Sequence, residues 1–287
     1  MIIVTGATGQ LGRQIVDNLL TRVQPDRIGV SVRVPQKAQT LADRGVRVRQ
    51  GSFTDPTSLA RAFEGATQVL IVSVDKMGEE KLQQHRTAID AAVAAGAERI
   101  LYTSHMGASS SSHFQACRDH AATEQMLQDS GTPFTSLRNG FYASSALRFL
   151  GHGLESGQAV LPADGPVSWT APADLAEAAA AILTEEGRFE GPTPPLTAAE
   201  ALTFDDIAKI ASAVLGRTIT RTAVPDEEFR AQLTGTGVPG ETADRLLGVF
   251  AAARAGEFAT VDPTLATLIG HQPRSLEAVL REQVPGR

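Results

Sequence analysis

An α/β fold built on a doubly wound parallel sheet is predicted by three features of the sequence. Apolar, strand-like runs alternate with helical patterns over the first 140 or so residues. The first run, Ile2-Ile3-Val4, leads straight into a glycine turn, Thr5-Gly6-Ala7-Thr8-Gly9-Gln10-Leu11-Gly12. Beyond residue 150 the alternation gives way to turn-rich and helix-dominated segments. Strands alternating with helices imply right-handed βαβ crossovers. The expected architecture is therefore a Rossmann-like sheet domain over 1–150, with a smaller, mostly helical C-terminal lobe over 151–287 interleaved with it.

Strands are expected at 2–5, 28–32, 46–48, 69–74, 99–103 and 134–137, each a short apolar run. Helices are expected between them at 11–23, 36–43, 57–64, 83–95 and 117–130. Leu11, Ile15, Leu19, Leu20 and Val23 recur at helical spacing. Asp55-Pro56 reads as a cap followed by proline at the first helical position. The stretches 151–158, 161–166 and 190–195 are rich in turn residues. Helical patterns then run at 173–185, 204–215, 226–234, 241–254 and 275–283, with Thr203 and Asp206 placed as a capping box. Ser109–Ser112 reads as a mobile loop tip, and no internal repeat is present.

Composition narrows the function. At 42% hydrophobic and 20% charged residues the chain is an ordinary globule with a sizeable core. A net charge of −6 without a basic run argues against nucleic acid as a partner. No stretch approaches 18 apolar residues, and a strand at residue 2 leaves no room for a signal peptide. Cys117 is the single cysteine, which fits a reducing, cytoplasmic setting without disulfides. The histidines and carboxylates show no metal-ligand spacing, so no metal is expected. The oligomeric state is left at monomer or homodimer.

Strand, glycine turn and helix together form the context in which a dinucleotide's pyrophosphate sits on a helix N-terminus. Gly6 takes turn dihedrals closed to other residues, Gly9 lets N–H groups approach phosphate, and Gly12 lets helix and strand pack closely. The residue after the second strand separates the two nicotinamide cofactors. A carboxylate there binds the ribose 2′-hydroxyl, whereas an arginine accommodates a 2′-phosphate. Here Arg33 stands 21 residues after Gly12, and no Asp or Glu lies between Arg27 and Asp43. The expected cofactor is NADPH, with Lys37 one turn on as a possible second charge. Ser52 and Phe53, after the third strand, should lie beside the adenine, although Phe53 could equally be sheet-edge core.

The sequence resembles the NmrA-like, atypical short-chain dehydrogenase/reductase family, and within it the quinone reductase and triphenylmethane-dye reductase group. The resemblance rests on 5–12, 32–51, 95–104 and 120–142, on the run from Asp174, and on 202–210. Ser136-Leu-Arg-Asn-Gly-Phe-Tyr142 is its most specific part. It implies a cofactor lying across the strand ends. Gly6, Thr8, Gln10, Leu11, Arg33, Ser73 and Thr103 match cofactor contacts, Ser104 adjoins them, and Asn139, Gly140 and Tyr142 match positions near the nicotinamide. Ser52 departs from an aspartate that relatives often carry there.

The Tyr-xxx-Lys pair of ordinary short-chain dehydrogenases, in which lysine lowers the tyrosine pKa, is missing. His113 to His120 contains neither residue, and Tyr102 and Tyr142 are followed four residues later by Met106 and Ala146. Alcohol dehydrogenation is therefore disfavoured. A quinone or cationic dye is a strong hydride acceptor and asks mainly for proximity and orientation. The expected enzyme is thus an oxidoreductase that moves hydride from NADPH to a small aromatic acceptor. Asn139, Tyr142 and His120 are its candidate catalytic residues. Two other readings stand beside it: a reductase of an imine or enone intermediate, and a non-catalytic NADP(H)-sensing regulator.

For each candidate a plainer role stays open. His120 either supplies a proton or orders backbone, and His105 and His113 are either proton sources or solvated loop residues. Asn139 either orients the acceptor or closes a turn, and Tyr142 either walls the acceptor or packs between lobes. Cys117 has no base at catalytic spacing and reads as a helix-face thiol. Glu79-Glu80-Lys81 reads as a solvated loop or a lid. Trp169 reads as a stacking surface for an aromatic acceptor or, from its place before Asp174, as packing between lobes.

Overall fold

The structure is a computed structural model that describes residues 1–283 except His152 and Glu186. His152 falls in the turn-rich stretch at 151–158 and lies outside the described residues. The first six strands are β1 (Ile2–Thr5), β2 (Ile28–Val32), β3 (Arg47–Gln50), β4 (Gln68–Ile71), β5 (Arg99–His105) and β6 (Phe134–Asn139). Between them run α1 (Gln10–Leu19), α2 (Gln39–Ala42), α3 (Pro56–Phe63), α4 (Gly78–Ala94) and α5 (Gln115–Asp129). The chain continues through β7 (Phe141–Tyr142), α6 (Ala143–Leu150), α7 (Gly153–Ser156), β8 (Gln158–Pro162), β9 (Trp169–Thr170), α8 (Pro172–Thr184) and β10 (Gly191–Pro192). It ends with α9 (Phe204–Leu215), β11 (Thr220–Val224), α10 (Asp226–Gly235), α11 (Gly240–Arg254), α12 (Thr264–Ile269) and α13 (Leu276–Gln283).

Seven strands form one sheet in the order β10-β6-β5-β4-β1-β2-β3, every pairing parallel. The order reverses between β1 and β4, the switch point at which such sheets take ligands. Helix α1 packs one face with α8 and α12, where Leu11, Ile15 and Leu19 meet the alanines of α8. Small side chains on α8 let the two helices approach closely. Helices α3, α4 and α5 cover the other face over Leu59, Phe63, Ala88, Ile89 and Leu127. A third core is aromatic, with Phe141, Trp169, Phe204, Phe250 and Phe258, and joins α6, α9 and α11 to the strand ends. Trp169 is buried there, stacks near Phe141 and Phe204, and donates Nε1–H to the Leu202 carbonyl. No described helix is long and apolar enough to cross a membrane.

Three differences from the expected elements bear on the site. β4 stops at Ile71 rather than 74 because side chains of its neighbours take over the ladder. The Val72 N–H donates to Thr5 Oγ1 at 2.8 Å, and the Ser73 N–H donates to Thr103 Oγ1 at 2.8 Å. α4 starts at Gly78, five residues before the expected 83, because the Gly78 N–H finds Asp119 Oδ2 at 2.8 Å. The segment expected as one helix at 36–43 is a 3₁₀ turn over Pro35–Ala38 followed by the four-residue α2.

The glycine turn is a close-packing requirement. A Cβ on Gly12 would stand 2.4 Å from the Gly6 carbonyl oxygen, which is backbone and cannot step aside. Gly12→Ala should lower the unfolding free energy by about 1–3 kcal/mol, the usual cost of overpacking. Gly235→Ala meets nothing within 4 Å and should be neutral or stabilising by up to about 1 kcal/mol. Urea unfolding of both variants checks the contrast, and equal stabilities would contradict it.

Candidate functional site

The site is built at the carboxyl ends of β1, β2, β4, β5 and β6. After β1 the chain turns at Gly6, whose φ of 63° is left-handed, and the Gly9 N–H closes the turn on the Gly6 carbonyl at 2.9 Å. α1 begins with Gly9 as its cap, without a side chain bonded to its first turn and without an acidic residue there. The first N–H groups of a helix have no intrahelical acceptor. Here they present a partial positive charge at the carboxyl ends of the strands, the geometry that receives an anion. Thr8 and Gln10 are exposed around this opening, while the Leu11 side chain turns into the core.

Past β2, Arg33 is exposed immediately after the buried Val32, and Lys37 is exposed on the following 3₁₀ turn. Gly51 ends β3 against this edge, where a Cβ would lie 2.1 Å from Ser31 Oγ. Ser52 Oγ bonds Thr54 Oγ1 at 2.8 Å. Phe53 is half-buried and packs on the core under α3 and α4. The glycine turn, Arg33, Lys37, Ser52 and Phe53 thus line one side of the sheet's mouth.

The other side is formed by β4, β5 and β6. Thr103 is buried and holds Ser73 through the bond that ends β4. Ser104 turns the opposite way. Its Oγ–H donates to Glu124 Oε1 at 2.7 Å, and Glu124 also receives Arg138 Nη2 at 2.7 Å. Asn139 stands beside His105 in the β5–β6 register, is 2% exposed, and has an Oδ1 that is buried without a partner. Gly140 is required by a close approach, since a Cβ would lie 2.1 Å from Thr170 Oγ1. Tyr142 is half-buried; burial pushes its phenol up to about 12, against a side-chain hydrogen bond from Asn139.

Beneath this mouth lies a buried polar cluster around His120, a candidate from the sequence, together with Lys81 and His85, which the sequence did not single out for such a place. Lys81 is 3% exposed rather than solvated. Burial pushes its ammonium down to about 8, opposed by Asp119, Cys117 and Asp75. His85 is fully buried and held down to about 3, with Nδ1 2.9 Å from Thr123 Oγ1. His120 sits between Tyr102 and Lys81, its Nδ1 2.7 Å from the Tyr102 hydroxyl and its Nε2 3.4 Å from Lys81 Nζ. Burial holds its imidazole neutral, far below the usual histidine range. The signal was present as helical stripes: Lys81, His85, Ala88 and Ala92 on α4, and Cys117, His120, Glu124 and Leu127 on α5.

Three smaller expectations are corrected. His105 is no solvated loop residue. It ends β5, packs edge-on against Phe141 and Phe258, and burial holds it down to about 3. Cys117 does have a base nearby, with its Sγ 3.3 Å from His105 Nδ1. Burial nevertheless pushes the thiol up to about 12, so it remains a protonated packing group. At the supposed loop tip, Ser112 is buried and bonds Glu257, and exposed His113 Nδ1 pairs with the same carboxylate at 2.6 Å. Among the described residues no group of three or more His, Cys, Asp or Glu side chains could hold a metal ion.

The sequence pattern of the NmrA-like family matches residues 1–277. Quinone oxidoreductase 2 of Escherichia coli K12 is 36% identical over 277 residues, 96% of each chain. The crystal structure of an NADPH-dependent quinone oxidoreductase from Escherichia coli, complexed with NADPH, superposes with a TM-score of 0.92 at 35% identity, covering 99% of both chains. That of the Citrobacter sp. triphenylmethane reductase complexed with NADP(H) gives 0.89 at 34% identity, covering 99% of this chain and 100% of the other.

The neutral histidines have a consequence for stability. His85, His105 and His120 are held below the ordinary value near 6.5 in the folded chain and regain it on unfolding. Their contribution is therefore present above pH 6.5 and lost as pH falls, because the unfolded chain takes up the protons. Between pH 7 and 5.5 the three together should cost about 3–4 kcal/mol of stability. Asp164 and Asp174, raised by burial, and exposed His271, raised by its bonds to the Gln272 backbone and Glu177, oppose part of this loss as pH falls. Urea unfolding at the two pH values checks this, and a stability unchanged between them would contradict it.

Proposed function

The chain belongs to the NmrA-like family, and from that premise we propose that it is an NADPH-dependent reductase of quinone-like or dye-like aromatic acceptors. The observation that carries the reading is the character of the mouth. At its β5–β6 end the titratable side chains Tyr142, His105 and Cys117 are all held uncharged at neutral pH, while Arg33 and Lys37 stand apart at the β2 end. A site of this kind orients and encloses its reactants, and it suits an acceptor that needs little acid to take hydride.

The residues fit the cofactor. The open first turn of α1 and the glycines at 6, 9 and 12 would receive the pyrophosphate, and Arg33 with Lys37 the 2′-phosphate. Ser52 and Phe53 would flank the adenine. Ser73, Thr103 and Gly140 would border the nicotinamide half, and Asn139, with its partnerless buried Oδ1, would bond the carboxamide or the acceptor. When bound, a reduced nicotinamide supplies the hydride. Tyr142 would wall the acceptor, and its raised phenol is a poor acid. Relatives with the names of quinone and triphenylmethane reductases support the choice of acceptor.

Stopped-flow oxidation of NADPH with a panel of quinones and cationic triphenylmethane dyes tests the activity. Turnover above the uncatalysed rate is expected for at least one class, and none for either would overturn the reading. Arg33→Ala should weaken NADPH by roughly ten- to a hundredfold, the loss of one charge-assisted bond of about 1.5–3 kcal/mol, and leave NADH nearly unaffected. Equal losses for the two cofactors, measured by fluorescence titration, would show that Arg33 does not read the 2′-phosphate.

A further inference from the structure

No lysine follows a tyrosine on α5, yet the fold brings both residue types to one buried chain of contacts. An ammonium can only donate, so the 3.4 Å contact assigns Lys81 Nζ–H to His120 Nε2. The other ring nitrogen then carries the hydrogen, and His120 Nδ1–H donates to the Tyr102 oxygen at 2.7 Å. The Ser73 and Thr123 hydroxyls lie close to the Tyr102 phenol and ease its charge, and the Ser73 N–H is held by Thr103, the next residue on β5. Thr123 is already engaged, facing His85 Nδ1 at 2.9 Å and donating to the Asp119 carbonyl at 2.9 Å. Ser73 is the outlet, half-buried where β4 leaves the sheet.

We propose that Lys81, His120, Tyr102 and Ser73 form a proton relay that serves the acceptor as it is reduced, with α4 supplying the lysine that α5 lacks. The proposal rests on the reductase reading above. Hydride transfer to a quinone leaves an anionic oxygen that needs one proton. Ser73 O–H gives that proton and takes one from Tyr102. The tyrosine takes one from His120 Nδ1, the imidazole takes one at Nε2 from Lys81, and the neutral amine regains one from water. The sum is quinone, NADPH and one proton giving hydroquinone and NADP⁺.

The surroundings suit a proton store. Lys81 faces Asp75 from the loop after β4, His85 on its own helix, Tyr102 and His105 from β5, and Cys117, Asp119 and His120 from α5. Of these, Asp75 and Asp119 favour its charge, while burial opposes it and brings the ammonium down to about 8. A group so placed is loaded at neutral pH and gives up its proton far more readily than an exposed lysine.

A cationic triphenylmethane dye accepts hydride at carbon and becomes neutral without a proton, so the two acceptor classes separate the relay from the rest of the site. Lys81→Met, and Tyr102→Phe, which keeps the packed ring, should each lower the ratio of quinone to dye turnover by about tenfold or more, the scale of a lost general acid. In the wild type, quinone turnover should fall above pH 8 while dye turnover does not. A role confined to packing would slow both acceptors alike and leave the ratio unchanged, which would overturn the proposal. The second arm uses cofactor-free protein with ¹⁵N-labelled histidine. His120 should show the Nδ1–H tautomer, with resonances that shift as Lys81 titrates near pH 8 and lose that shift in Lys81→Met. Resonances indifferent to Lys81 would overturn the relay. Wild-type protein that reduces neither acceptor would overturn the functional reading instead, leaving the NMR arm to decide the relay.

Discussion

How closely the first helix can be pressed against the first strand governs the rest of this molecule. Gly12 lies so near the Gly6 carbonyl that a methyl group cannot fit between them. That contact sets the start of α1 directly over the end of β1, with its unbonded N–H groups at the β1–β4 switch point. It also seats the Leu11, Ile15 and Leu19 stripe where α8 returns from beyond residue 170 to cover it. One backbone approach thus joins the burial that holds the sheet's first face to the positive end that can receive a phosphate.

The opposite face of the sheet carries a different economy of charge. Apolar residues of α3, α4 and α5 close most of it, but toward the strand ends the packing changes to Lys81, His85, Tyr102 and His120. Buried polar groups of this kind are tolerable only when bonded to one another. The Thr123–His85 and His120–Tyr102 contacts meet that requirement. Low dielectric then keeps the imidazoles neutral and weakens the hold of Lys81 on its proton. Above them Asn139 keeps an unanswered oxygen at the mouth. At its β5–β6 end the mouth orients through uncharged groups, while Lys81, with its weakened hold on a proton, is kept a layer below.

Much of the fold was legible because each βα unit carries its own pattern. Ile2–Thr5, Ile28–Val32 and Phe204–Leu215 fall where their apolar spacing and caps put them. Helices α6 and α12 were not expected, being short elements that owe their existence to burial of Ala146, Leu147, Leu265 and Leu268 rather than to local signals. The end of β4 was misjudged because its ladder is taken over by Thr5 and Thr103, residues remote in sequence. In the site, Gly6, Gly12, Arg33 and Asn139 were legible from motif and position. Lys81 was not, because Glu79-Glu80-Lys81 reads as a solvated run until α5 is known to pack over it. Sequence periodicity held the clue, but only tertiary packing makes a buried lysine distinguishable from an exposed one.

We propose that the strand-end mouth brings a nicotinamide hydride donor and an aromatic acceptor into direct contact, with the protein supplying orientation. Reduction of a cationic triphenylmethane dye in ordinary water with NADPH deuterated on one face of C4, read by mass spectrometry of the leuco dye, tests it most directly. Deuterium from one face alone should appear wholly at the dye's central carbon. Hydrogen from water at that carbon, or label delivered equally from both faces, would contradict it.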